Sequence, residues 1–142
     1  VGLADLYADQ KRTDDALRLL EEARKKFGDD HTLTMRVANV YEGGGRLPEA
    51  ERELRKLMAE DPLDADAMNS LSYMLAEHGQ KLPEAVELAQ RALTIEPGNP
   101  AYLDTLGWAL FKQGKTADAE WVKRAFDEAW KDADTTLTID SL

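Results

Sequence analysis

Apolar residues recur along the chain at the three- and four-residue steps of an amphipathic helix, in short blocks divided by turn residues. Ala16, Leu19, Leu20 and Ala23 form one stripe, Ala50, Leu54 and Leu57 a second, and Ala85, Leu88, Ala89 and Ala92 a third. Each set falls on a single helix face. Between the blocks stand helix-stopping residues: Gly28, Gly43-Gly44-Gly45, Pro62, Gly79, Pro97 and Gly114. Leu47-Pro48-Glu49-Ala50 and Leu82-Pro83-Glu84-Ala85 place a proline in the first turn of a helix, where its missing N–H costs nothing. The pattern predicts an all-α chain of helices joined by tight turns.

The blocks repeat. An alanine preceded by an acidic residue opens alternate helices at Asp15-Ala16, Glu49-Ala50, Glu84-Ala85 and Asp118-Ala119, with spacings of 34, 35 and 34 residues. An apolar residue one turn into the other helix recurs as Leu3, Val37, Leu71 and Leu106, spaced 34, 34 and 35. The breakers Gly28, Pro62 and Pro97 keep the same period, 34 and 35. Three marker sets with one period define a helix–turn–helix unit. The alanine is needed because antiparallel helices approach closely only where a small residue sits at the crossing.

The stretch from Tyr102 to Ala119, YLDTLGWALFKQGKTADA, resembles the tetratricopeptide repeat (TPR). Leu106-Gly107, Gly114 and Ala119 fall on that family's Leu-Gly, turn glycine and alanine. Pro62 and Pro97 fall on its terminal proline, and Tyr7 and Tyr41 on the tyrosine of its first, or A, helix. The resemblance covers residues 1–131. It implies a right-handed α-solenoid of antiparallel helix pairs, about 3.5 repeats in seven to eight helices. The units are a partial first repeat at 1–30, repeats at 31–64, 65–99 and 100–131, and a C-terminal tail at 132–142. Asn69 through Trp108 also resembles bacterial TPR proteins, many of them exported or lipid-anchored.

Some positions depart from the pattern. The first repeat lacks the opening turn of its A helix, so the native protein is expected to continue upstream. The third carries one extra residue around His78-Gly79-Gln80-Lys81-Leu82. In the fourth, the second small residue, Ala125, comes one position early, although Ala119, Val122, Phe126 and Ala129 keep one apolar stripe. In the tail, Thr136 to Ile139 alternates like a strand. The tail is read as frayed rather than as a capping helix, the sharper alternative being that it docks in a groove.

Composition adds exclusions. Over 142 residues the chain is 43% hydrophobic and 32% charged, ordinary for a folded protein. Its net charge of −10 repels phosphate backbones and anionic lipid, so nucleic acid is not an expected partner. No apolar run is long enough for membrane insertion as a spanning helix, and Val1 to Leu6 shows no signal-peptide pattern. Compartment stays open, with bacterial cytoplasm and periplasm both compatible. The absence of cysteine removes disulfides and thiolate chemistry.

Catalytic, cofactor and metal sites are expected to be absent, and the chain is read as no enzyme. His31 opens a helix and His78 sits in a turn, with nothing to make them converge. Ser70, Ser72 and Ser141 lie in no nucleophile-elbow context. Gly43-Gly44-Gly45 has neither the preceding strand nor the following Lys-Ser/Thr of a phosphate loop. Asp61, Asp64 and Asp66 lack the glycine and distal glutamate of a calcium loop and read as helix caps.

The resemblance implies that A helices line the concave surface, so a binding site belongs on the A-helix face that the core leaves over. By helical spacing that face offers Met35, Asn39 and Glu42, then Asn69, Tyr73 and Ala76, then Asp104, Trp108 and Phe111, with Lys112 at the rim. Asn39 and Asn69 can pair with main-chain groups of an extended peptide, and Tyr73 and Trp108 offer rigid apolar surface. The expected partner is a peptide or helical segment of another protein. Chaperone-binding TPR domains hold a C-terminal carboxylate with Lys and Asn. The matching places here hold Asp5, Asn69, Asp66 and Thr105, with only Asn39 and nearby Arg36 fitting, so that ligand is not expected. Trp121 and Trp130 stand about 180° apart on the last helix. That helix lacks a cap, which makes a homo-oligomer through it or the tail the alternative reading. A recruitment domain of a larger enzyme is the third.

Overall fold

The computed structural model describes residues 3–115 together with 122, 124, 127 and 128, and the side chains among them from residue 9 onward. Every regular element among these residues is α-helix. The order is α1 (Leu3–Phe27), α2 (His31–Gly43), α3 (Leu47–Glu60), α4 (Ala65–Glu77), α5 (Leu82–Ile95) and α6 (Pro100–Lys112). Residues 1–62 form one compact unit and residues 63–142 a second.

In the complete repeats the apolar period markers lie in the core. Val37 on α2 and Leu71 on α4 are fully buried, as are Ala50 on α3 and Ala85 on α5. Each alanine lets its helix lie close against the preceding one, and in the second unit the Ser72 hydroxyl donates to the Ala85 carbonyl at 2.5 Å. Leu103, Leu106 and Leu110 of α6 pack with Ala89 and with Val122 into one cluster, flanked by Val86 and Leu93. Of the expected stripe in the fourth repeat, Val122 is thus in the core, while Ala119, Phe126 and Ala129 lie outside the described residues. The same holds for Trp121, Trp130 and the tail at 132–142.

An Asx residue caps the helix that opens each of the second, third and fourth repeats. Asp30 accepts from the Thr32 amide at 2.7 Å, Asp64 from Ala67 at 3.0 Å, and Asn99 from Ala101 at 3.0 Å. Each side chain satisfies one of the donors that a helix N-terminus leaves unpaired.

The residues linking α4 to α5 number one more than those linking α2 to α3, as the spacing predicts, and the extra length is absorbed at Lys81. Its backbone sits in the left-handed region, at φ 45° and ψ 46°. A side chain there crowds the backbone, whereas glycine adopts that conformation freely. Replacing Lys81 by glycine is expected to raise stability by about 0.5–1 kcal/mol, after allowance for glycine's greater unfolded-state entropy, as read by urea denaturation.

In the register of the second repeat, whose turn is at residues 44–46, a turn in the first unit would fall at about residues 10–12. The structure has a single helix of 25 residues in α1. Neither glycine nor proline occurs from Leu3 to Phe27, and Lys11 stands where the next repeat has Gly45, whose φ is 76°. The helix therefore continues where the repeat would turn.

A network centred on Arg24 ties α1 to α2 and α3. Its Nη2 donates to Glu53 at 2.6 Å and to the Thr34 hydroxyl at 3.3 Å, and its Nη1 donates to Glu21 at 3.0 Å. The Glu53 hydrogen bond raises the guanidinium pKa above its usual value, outweighing desolvation. Lys56 on α3 reaches Asp29 at 2.8 Å, and that bond lowers the carboxyl pKa.

Candidate functional site

Two cross-links set the position of α6 against α4 within the second unit. Near their starts, the Tyr102 hydroxyl donates to Asp66 at 2.6 Å. Near their ends, Trp108 Nε1 donates to Glu77 at 3.1 Å. Start pairs with start and end with end, so the helices run side by side in the same direction. Tyr73 lies four residues before Glu77 and seven after Asp66, on the α4 face that carries both links.

The upper link builds an aromatic plate. Trp108 and Phe111 stack with centroids 5.7 Å apart and planes inclined by 16°. The Lys112 ammonium stands 5.4 Å from the Trp108 ring centre, on a cation–π contact. Trp108 is half-buried and Phe111 is 55% exposed. Tyr73 on the neighbouring helix is 44% exposed, and Asp104 is open to solvent. Asn69, one turn before Tyr73, is half-buried, and its Oδ1 is shielded from water with no hydrogen-bond partner.

The structure sorts the sequence-derived residues. It joins Trp108, Phe111 and Lys112 by direct contacts, and it places Asn69, Tyr73 and Asp104 in the same unit. Ala76 is a correction: expected on the open face, it is fully buried. Glu77, which the spacing argument passed over, holds the indole instead. It follows Tyr73 by four residues, so the same helical step could have found it. Met35, Asn39 and Glu42 lie on α2 in the other unit, with Asn39 exposed and the other two half-buried. Lys112, expected at the rim, is exposed and stands over the Trp108 ring.

The remaining polar candidates have structural duties. Asp64 caps α4 and Asp66 receives the Tyr102 hydroxyl. His31 opens α2, and His78 closes α4 with its amide on the Met74 carbonyl at 3.2 Å. Among the described residues no group of three His, Asp or Glu side chains could hold a metal ion. No helix among them is long and apolar enough to cross a membrane.

Tyr102 is 3% exposed, and burial, reinforced by the Asp66 carboxylate, pushes its phenol pKa well above the usual value near 10. The folded state therefore holds the proton more tightly than the unfolded state. Stability from this group is complete below about pH 10 and falls as pH rises beyond it, where only the unfolded chain ionises. Tyr102→Phe is expected to cost about 1 kcal/mol at neutral pH and to flatten the alkaline part of the stability profile, measured by urea melts from pH 8 to 11.

A protein of stacked antiparallel helix pairs on a 34-residue period, with aromatic and amide side chains along its repeat-opening helices, belongs to the helical-repeat class. The tetratricopeptide-repeat family model matches residues 7–72, so the chain carries tetratricopeptide repeats over that stretch. It is 33% identical over 117 residues to a TPR repeat-containing protein of Pseudomonas aeruginosa, a match covering 82% of this chain. The chain spans only 20% of that relative's length. In fold it is similar to the crystal structure of MamA protein, with a TM-score of 0.71 at 17% identity, over 87% of this chain and 67% of the other. A second solved structure, MamA MSR-1 C2, gives 0.69 at 17% identity, over 89% and 72%. These likenesses show the all-α solenoid fold.

Proposed function

We propose that the chain is a protein-interaction scaffold whose repeat-opening helices bind an extended segment of a partner polypeptide. The observation that carries this reading is the plate of Trp108 and Phe111, fixed by Glu77 and flanked by exposed Tyr73. A rigid aromatic surface loses little conformational freedom on binding, which is why such groups dominate interaction energies. Asn69, half-buried one turn before Tyr73, is proposed to meet the partner through the amide atoms that remain accessible. Met35, Asn39 and Glu42 on α2 are proposed as a separate row of contacts in the first unit, and Asp104 on α6 as a carboxylate that favours basic residues in the partner.

The test begins with peptides selected from a random display library against the intact chain. Their affinity is then measured for the parent and for Trp108→Ala, with mass recorded by light scattering. Weaker binding at unchanged mass supports the proposal. Unchanged affinity overturns it, and a change of mass instead favours homo-oligomer assembly.

A further inference from the structure

α1 carries the parts of a helix pair that it does not assemble. In the two complete pairs, α2 lies against α3 and α4 against α5. There the second helix buries Ala50, Leu54 and Leu57, or Ala85, Leu88, Ala89 and Ala92, each no more than 4% exposed. The same register positions in α1 are Ala16, Leu19, Leu20 and Ala23. Leu19 is 67% exposed, and the other three are only half-buried.

The residues that would cover this face are already in the chain. Leu3 is in register with Val37 and Leu71, and Ala4 with Ala38 and Ser72, all four of those being at most 2% exposed. Ser72 meets Ala85 where α4 and α5 approach, at the 2.5 Å hydrogen bond described above. In the first repeat those two places are held by Ala4 and Ala16. A straight helix gives neither residue a reason to be small, whereas a close helix crossing requires both.

We infer that α1 has a second conformation, bent at residues 9–13, in which residues 3–8 fold back over Ala16, Leu19, Leu20 and Ala23 and complete a helix pair. The hinge turns at small cost: Asp9, Gln10, Lys11 and Arg12 are all exposed, and the local contacts given up are the exposed Arg12–Asp9 pair and the Thr13 hydroxyl on the Asp9 carbonyl, while half-buried Thr13 can keep its place beside Gly44. The bend places Lys11 where Gly45 has φ 76°, and Lys81 shows that a lysine of this chain takes that region ahead of a helix, at φ 45°. The straight form presents an apolar face at the start of the first unit, and the bent form hides it. This device is independent of peptide binding on α4 and α6.

The test uses the absence of native cysteine. In a straight helix residues 4 and 16 are about 18 Å apart along the axis, far beyond the roughly 7 Å between Cα atoms that a disulfide spans. The double variant Ala4→Cys/Ala16→Cys, oxidised with oxidised glutathione at low protein concentration, is expected to close an intramolecular disulfide in the monomer. The linked chain should melt higher than its reduced form. Adding Lys11→Gly, which disfavours helix and favours the turn, should speed closure about tenfold. No link, a link only between two chains, a lower melting temperature, or a rate unaffected by Lys11→Gly would each overturn the inference.

Discussion

Replacing Arg24 by alanine is expected to weaken residues 1–62 by about 3 kcal/mol, the cost of leaving a largely buried charge without its partner. The side chain of Arg24 is 10% exposed and that of Glu53 17%, so solvent screens the pair poorly. Without the guanidinium, the Glu53 carboxylate must be desolvated alone, and Thr34, itself 2% exposed, loses a donor to its hydroxyl. The effect should appear as a lower urea midpoint in far-UV circular dichroism and as faster amide exchange in α1 and α3. A second variant separates the worth of the pair from the penalty of orphaning one member. Arg24→Met with Glu53→Leu removes both charges and fills the space with apolar volume, and should lie within about 1 kcal/mol of the parent. A single variant as stable as the parent would show that water reaches Glu53 and that the network holds little.

Much of this fold could be read from the chain because periodic residues do periodic work. Val37, Leu71, Ala50 and Ala85 were recognisable by their spacing, and packing makes the same demand of each. The caps Asp30, Asp64 and Asn99 share that period, two residues after each breaker, and were open to the same reading. Arg24 was not, since its partners Thr34 and Glu53 lie 10 and 29 residues away and no period links them. The straight α1 escaped for a different reason. A repeat register says where a turn belongs, but the local conformational cost decides whether it forms, and Lys11 raises that cost relative to glycine. On the face proposed for binding, helical spacing put Tyr73 and Ala76 together on the open side of α4, and of the two Tyr73 is exposed while Ala76 is buried. Angle around the axis alone does not decide burial, because α4 lies against both α5 and α6.

The larger functional effect is expected at Trp108. Truncation to alanine should weaken a selected peptide about 30-fold, equivalent to roughly 2 kcal/mol, because it removes the largest rigid surface of the plate. It also removes the partner on which Phe111 stacks and the group that Glu77 and Lys112 hold. Trp108→Phe keeps a ring for the stack but not the indole N–H, and so should lose less, about fivefold. Glu77→Gln retains an acceptor for the indole while removing charge, and it should leave an uncharged peptide's affinity within about twofold while weakening a basic one. That ordering, alanine worse than phenylalanine and glutamine sensitive to peptide charge, follows from a plate that works by shape and is fixed in place by one hydrogen bond. If phenylalanine and alanine proved equally damaging, the indole N–H rather than the ring surface would be the binding element, and the plate would have to be read as a hydrogen-bonding site.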